Sequence, residues 1–189
     1  MPHIETVSVE EAEGAVAAMY AKQQAWGKSV PSYAQLFSHN PELMTTWVDM
    51  LAAIKSGLNR PDFYLVNFAV ARAIDSLACQ AAFAGRMLNE GFTQGQLSEI
   101  VSGNSARVLT GKQQSIIEFA VKIACDSANV TAENVDALRR LGVDDSEIFH
   151  IAAAAASRCF FARLCDGLGA ETILDPQIVG LLQTGSHPL

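Results

Sequence analysis

The sequence is short of charge. Only 17% of its 189 residues are Asp, Glu, Lys or Arg, while 50% are apolar. A chain this apolar has surface to hide, and a homo-oligomer (dimer, trimer or hexamer) is the expected way of hiding it. Positive charge is the scarcer sign: 13 basic against 20 acidic residues give a net charge of −7, and the densest basic cluster is the pair Arg139–Arg140. An acidic chain without a basic stripe repels phosphate backbones, which argues against a nucleic-acid partner. A CxxC pair is also missing. Of the four cysteines, Cys79, Cys125, Cys159 and Cys165, the last two lie nearest in sequence. On one helix they would stand about 9 Å and about 120° apart, too far for a disulfide. Reduced thiols in a cytoplasmic protein are therefore expected. His3, His39 and His187 are scattered without metal-ligand spacing, so neither a metal nor another cofactor is expected.

No membrane or secretory segment is read. The stretch "MPHIETVSVEEAEG" is acidic and lacks an apolar h-region. The most apolar stretch, "IFHIAAAAASRCFFARLC", carries His150, Arg158 and Arg163 and reads as a buried helix of a soluble protein rather than a span. Period-2 strands of convincing length, low-complexity linkers and internal repeats are absent too, which removes sandwich, barrel and solenoid folds.

What is there is helix, punctuated by caps. Ser8 with Glu11 precedes "AVAAMYAKQQAW", which Gly27 can end. "PSYAQLFSH" forms a short helix, and Asn40–Pro41 opens one that Gly57 closes. Pro61 opens "DFYLVNFAVARAI"; Asp75 and Ser76 interrupt it and cap a second helix running through Cys79 to Gly91. Thr93 with Gln96, Thr110 with Gln113, Thr131, and Asp144 with Glu147 start four more, and Asp175–Pro176 opens the last. The run Ala152–Ala156 lets neighbouring backbones approach closely, which places its helix at the centre of a bundle.

The segments "PELMTTWVDML", "LVNFAVARAIDSLAC", "GFTQGQLSEIVSG", "LTGKQQSIIEFAVKIA", "VTAENVDALRRLGVDDSEIFHIAAAAA" and "FFARLCDGLGAE" follow one another in an order that resembles the AhpD-like superfamily of alkylhydroperoxidase and carboxymuconolactone decarboxylase proteins, most of all its longer, peroxidase-related branch. The resemblance covers roughly residues 30–172. It implies a single all-α domain over 1–189, with an N-terminal helical extension at 1–30, a motif region at 60–105 and C-terminal helices at 110–170. It implies an antioxidant oxidoreductase acting on hydroperoxides. The redox members carry Cys-x-x-Cys-x-x-x-His at a helix start, with a glutamate twelve residues before the first cysteine and a glycine about eight after the histidine.

The motif is degenerate here. Aligned on Gly91, Tyr64 replaces the glutamate, Ser76 the first cysteine and Phe83 the histidine, and Cys79 keeps the second cysteine. Aligned instead with Cys79 as the first cysteine, Asn67, Ala82 and Arg86 fill the other places, and the spacing to Gly91 breaks by three residues. Neither register restores a disulfide pair, so the two-cysteine peroxidase cycle is expected to be weak or absent.

Three readings stay open. The inherited pocket binds a small apolar molecule without redox chemistry, which requires a cavity near Tyr64, Cys79 and Phe83. Alternatively Cys79, within the first turn of its helix where the dipole favours a thiolate, is a single-cysteine nucleophile resolved by an external thiol. Or the bundle serves assembly only. Asn67, Arg72, Asp75 and His150 are candidates to line that pocket, and Ser76 could hydrogen-bond to Cys79, but each candidate has a plain counterpart: Cys79 as an inert core thiol, Ser76 as an N-cap, Tyr64 and Asn67 with Arg72 and Asp75 as interface polar groups, and His150 as a core histidine instead of a stand-in for the motif's histidine. Cys125, Cys159 and Cys165 read as core, and Arg158 and Arg163 as reaching solvent or an acid such as Asp166.

Overall fold

The computed structural model describes residues 2–26, 29–172 and 174–183. Every regular element among them is helical: α1 (Gly14–Trp26), α2 (Ser32–Leu36), α3 (Pro41–Ser56), α4 (Arg60–Ala73), α5 (Leu77–Asn89), α6 (Gln94–Val101), α7 (Gly111–Asp126), α8 (Ala132–Arg140), α9 (Asp145–Gly167) and α10 (Pro176–Gln183), with three short 3-10 turns. The all-α expectation holds. Gly27 and His187 fall outside the described residues.

The cap chemistry accounts for most boundaries. Asn59 Oδ1 accepts from Asp62 N at 2.9 Å to start α4. Thr93 and Thr110 each accept from the glutamine three residues on, and those glutamines accept in return from the threonine N–H. Asp144 and Glu147 do the same ahead of α9. Four helices stop in one way. Gly91, Gly103, Gly142 and Gly169 take φ of +100°, +78°, +78° and +70°, and the following N–H returns to the carbonyl of Met87, Glu99, Leu138 or Cys165. Such left-handed C-caps favour glycine because a Cβ is penalised there. Ser8 Oγ accepts from Glu11 N and donates to Glu11 Oε2, and α1 starts only at Gly14.

The chain forms two compact units. The first comprises Met1–Ala53 and Arg163–Ile173. It buries Met19, Tyr20, Leu36, Phe37, Met44 and Trp47, and is tied by Tyr20 Oη donating to Val7 O at 2.7 Å and His3 N donating to Leu168 O at 2.9 Å. The second comprises Ile54–Ala162 and Leu174–Leu189. In it α4 packs on α5 and α7, and α10 packs on α5 and α6. The centre of this unit is α4. Phe63 and every residue from Leu65 to Arg72 are buried.

That corrects the expectation for α9. Ala154 and Ala155 are buried, but Phe149 is 67% exposed and Phe160 45%. An alanine run fits either face of a helix and so does not reveal which one is covered. By length and composition α9 could cross a bilayer. Here its inner face is packed in protein. The Arg139–Arg140 pair is neutralised: Arg139 binds Asp136 at 2.7 Å and Asp145 at 2.8 Å, and Arg140 binds Glu133 at 2.6 Å.

One close approach is specific to glycine. A Cβ on Gly57 would enter the ring of His150, which is fixed by Nδ1 at 2.7 Å from Ser146 O. Gly57→Ala should cost about 1–3 kcal/mol, a fall in Tm of roughly 2–10 °C. Gly111→Ala, where nothing lies within 4 Å of the added carbon, should leave Tm level or raise it. Thermal unfolding of both variants checks this.

Candidate active site

Helices α4 and α5 run antiparallel through a three-residue corner at 74–76. Its middle residue, Asp75, adopts φ +57°. Left-handed backbone is uncommon for a residue with a side chain, and Asp is among those that tolerate it. The next residue, Ser76, sits at the N-cap of α5 but makes no capping bond with its side chain. Its hydroxyl is buried without a hydrogen-bond partner among the described residues.

Cys79 lies in the first turn of α5 and is 6% exposed, packed with Ala71, Ala162, Ile74 and Phe161. The group that meets it comes from α9. Arg158 is 3% exposed; its Nη1 lies 3.6 Å from Cys79 Sγ and its Nε donates to Asn67 Oδ1 at 3.0 Å. Asn67, fully buried on α4, gives its amide N–H to Phe63 O at 2.8 Å. Those two bonds fix the amide's orientation: rotated by half a turn, it would turn its NH2 towards the guanidinium and its oxygen towards a carbonyl, losing both bonds. The guanidinium carbon also lies 4.4 Å from the Phe83 ring centre and 5.4 Å from that of Phe161. Burying a cation is costly, and the amide bond, the sulfur and the two π faces offset that cost. A guanidinium held this close matches the charge of a thiolate or sulfenate better than that of a neutral thiol.

One turn along each helix stand Tyr64 and Phe83, with ring centres 6.2 Å apart. Lys55 Nζ donates to Tyr64 Oη at 2.7 Å and lies 4.8 Å from the same ring. The Arg158 guanidinium lies between Cys79 Sγ and the Phe83 ring, itself only 3% exposed.

The other sequence candidates go elsewhere. Arg72 donates through Nη2 to Val101 O at 3.0 Å, and burial lowers its pKa below the ordinary guanidinium range. Asp75 is exposed at the corner. His150 is engaged with Ser146 and Gly57, two turns of α9 before Arg158. Cys125 is exposed and Cys159 half-buried, so of the three cysteines expected in the core only Cys165 is buried. Arg163 and Asp166 are both exposed and form no ion pair with each other. Among the described residues no three His, Cys, Asp or Glu side chains gather as metal ligands.

Arg158 is the residue that sequence reasoning missed. It was expected at the surface, and it is the innermost cation of the site. The available signal was an arginine one position past a run of small residues that otherwise reads as buried.

No family model matches the sequence, and no curated protein matches it. The structure is similar to an AhpD-core, uncharacterized peroxidase-related protein from Ralstonia eutropha JMP134, with TM-score 0.79 and 17% identity over 100% of this chain and 98% of that one. It is also similar to a peroxidase-related protein from Silicibacter sp. TM1040, with TM-score 0.74 and 16% identity over 95% and 92% of the two chains. A third likeness is to the debrominase Bmp8, in its C82A form with 2,3,4-tribromopyrrole, with TM-score 0.69 and 13% identity over 89% of each chain. The fold of this chain is thus the AhpD-like one.

Proposed function

We propose that the protein is a single-cysteine thiol peroxidase whose nucleophile is Cys79. The observation that supports this reading is the Arg158 guanidinium, held by Asn67 within 3.6 Å of the sulfur. A structural thiol does not require a buried cation beside it; a sulfur that carries charge during turnover does. The non-redox, apolar-ligand reading is less well supported, because the volume it needs is occupied by Phe83 and the guanidinium.

The chemistry balances without a second cysteine. The Cys79 thiolate attacks the terminal oxygen of a hydroperoxide. An S–O bond forms, the O–O bond breaks, sulfur loses two electrons, and the departing alkoxide takes a proton from water. The resulting sulfenic acid is returned by an external monothiol in two steps. The first forms a mixed disulfide and releases water; the second frees Cys79 and releases the small-molecule disulfide. Arg158 offsets negative charge on the sulfur before attack and on the sulfenate after it. Burial of the sulfur favours an electrophile whose reacting end is two oxygen atoms wide over a bulky aryl bromide of the kind bound by Bmp8.

The exposed face of α9 supports a homo-oligomer within the same reading. Phe149 and Phe160 lie eleven residues, three helical turns, apart and so share a stripe. A cytoplasmic setting, where small thiols are abundant, suits the cycle.

Two outcomes are expected. Wild type should consume cumene hydroperoxide with a monothiol donor, with a dimedone adduct on Cys79 by mass spectrometry. Cys79→Ser should abolish both, and Arg158→Met should slow the reaction about 10- to 100-fold, the loss of one hydrogen bond to a charged group. Turnover that survives Cys79→Ser would end the proposal. In sedimentation velocity the wild type should run larger than one chain, and Phe149→Glu with Phe160→Glu should bring it to monomer.

A further inference from the structure

We propose that Asn67 is a positioning residue for the reaction at Cys79, acting through Arg158, and that its neutrality is the property the site uses: an amide aims the guanidinium without neutralising it, where a carboxylate would draw that charge away from the sulfur. This deepens the reading of Cys79 as the peroxide-attacking nucleophile and rests on it.

The geometry divides one cation between two neighbours. Arg158 gives its Nε–H to Asn67 Oδ1 at 3.0 Å and brings Nη1 to 3.6 Å from Cys79 Sγ. A guanidinium is planar and rigid, so holding its Nε edge fixes where Nη1 stands. Asn67 is itself held, because its amide N–H goes to Phe63 O at 2.8 Å and the residue is fully buried. The bonds run from a helix carbonyl, through an amide and a cation, to the sulfur.

Residue type decides how much charge is left at the end of that series. An amide oxygen accepts the Nε–H with a partial charge only. An ionised carboxylate in its place would bring a full negative charge to the cation and repel a negative sulfur beside it. It would also leave Phe63 O facing an oxygen in place of a donor. Only a protonated carboxyl reproduces the amide: its O–H can go to Phe63 O, and its C=O can accept from Arg158. Asn67→Asp is therefore a titratable copy of the site, equivalent to wild type while the carboxyl holds its proton and quenched once it ionises. Burial and the Phe63 carbonyl favour the protonated form, and the guanidinium favours the ionised one.

Charged side chains on the packed helices are engaged or turned outward. On α4, Asp62 is bound to Asn59 and Gln113, Tyr64 to Lys55, and Arg72 to Val101 O. On α7, Lys112 is bound to Glu147 of α9, and Glu118 and Lys122 line a cavity against α8. His150 of α9 is bound to Ser146 O, and Arg86 of α5 is exposed.

The experiment measures kcat/KM for hydrogen peroxide, the smallest hydroperoxide, with one monothiol donor. At each pH from weakly acid to weakly alkaline the Asn67→Asp value is divided by that of wild type, so that effects common to both proteins cancel. The ratio should stand near one in acid and fall about tenfold or more as pH rises. Asn67→Leu, which removes the hold and adds no charge, should lower the rate by one factor at every pH. Arg158→Lys keeps a positive charge but has no Nε–H for Asn67 to aim, and it should slow the reaction about tenfold, through kcat more than KM. Tm confirms that each variant is folded. A pH-independent Asn67→Asp ratio, or full activity of Arg158→Lys, would overturn the proposal. If folded wild type does not turn over hydrogen peroxide, the reading of Cys79 falls and this one with it; wild-type turnover with a flat ratio removes the role of Asn67 alone.

Discussion

A buried guanidinium organises the second unit. Arg158 reaches from α9 to Asn67 on α4 and to Cys79 on α5, so three helices meet at one charge. A cation at this depth constrains everything near it. The amide that holds it must show its oxygen, the rings around it must offer their faces, and the sulfur beside it offers a soft, polarisable contact. Asn67 meets the first demand only because Phe63 O, one turn back, takes its N–H. Asn67, the buried amide of α4, thus serves the guanidinium and is not a mere interruption of an apolar helix.

The same arrangement differs from the Cys-x-x-Cys-x-x-x-His pattern that the sequence resemblance implies. A Cys-x-x-Cys-x-x-x-His centre carries its proton and electron partners on one helix. Here Phe83 stands where that pattern has histidine and Ser76 where it has a cysteine, and the compensating charge arrives from a helix far along the chain. In the proposed cycle the electrons come from an external thiol. Phe83, in the meantime, fills space and gives Arg158 a π face.

Local signals made much of the fold legible. The threonine–glutamine and aspartate–glutamate boxes and the stop at Gly91 depend on residues within a few positions of each other, and the structure uses them. Long-range choices were not legible. Ala152–Ala156 is compatible with either face being covered, so the central position fell to α4 and not α9. Arg158 lies 79 positions from Cys79, and nothing in the spacing of one sequence pairs them. Cys125 illustrates the converse: its apolar neighbours on α7 suggested burial, but the turn of the helix leaves it outside. At the site, Cys79, Tyr64 and Phe83 were recognised by aligning the motif on Gly91, and Asn67 by the alternative alignment, whereas the group that meets Asn67, Cys79 and Phe83 lay on another element.

The corner at Asp75 has a consequence of its own. Because it joins α4 to α5 in three residues with a left-handed backbone at the middle, it sets how the two helices are phased, opposing Asn67 to Cys79 and Tyr64 to Phe83. Inserting or deleting one residue there would turn α5 by about 100° and carry the sulfur off the axis of the guanidinium. Homologous chains with this chemistry are therefore constrained in length between Asn67 and Cys79, even where the residues themselves are free to drift.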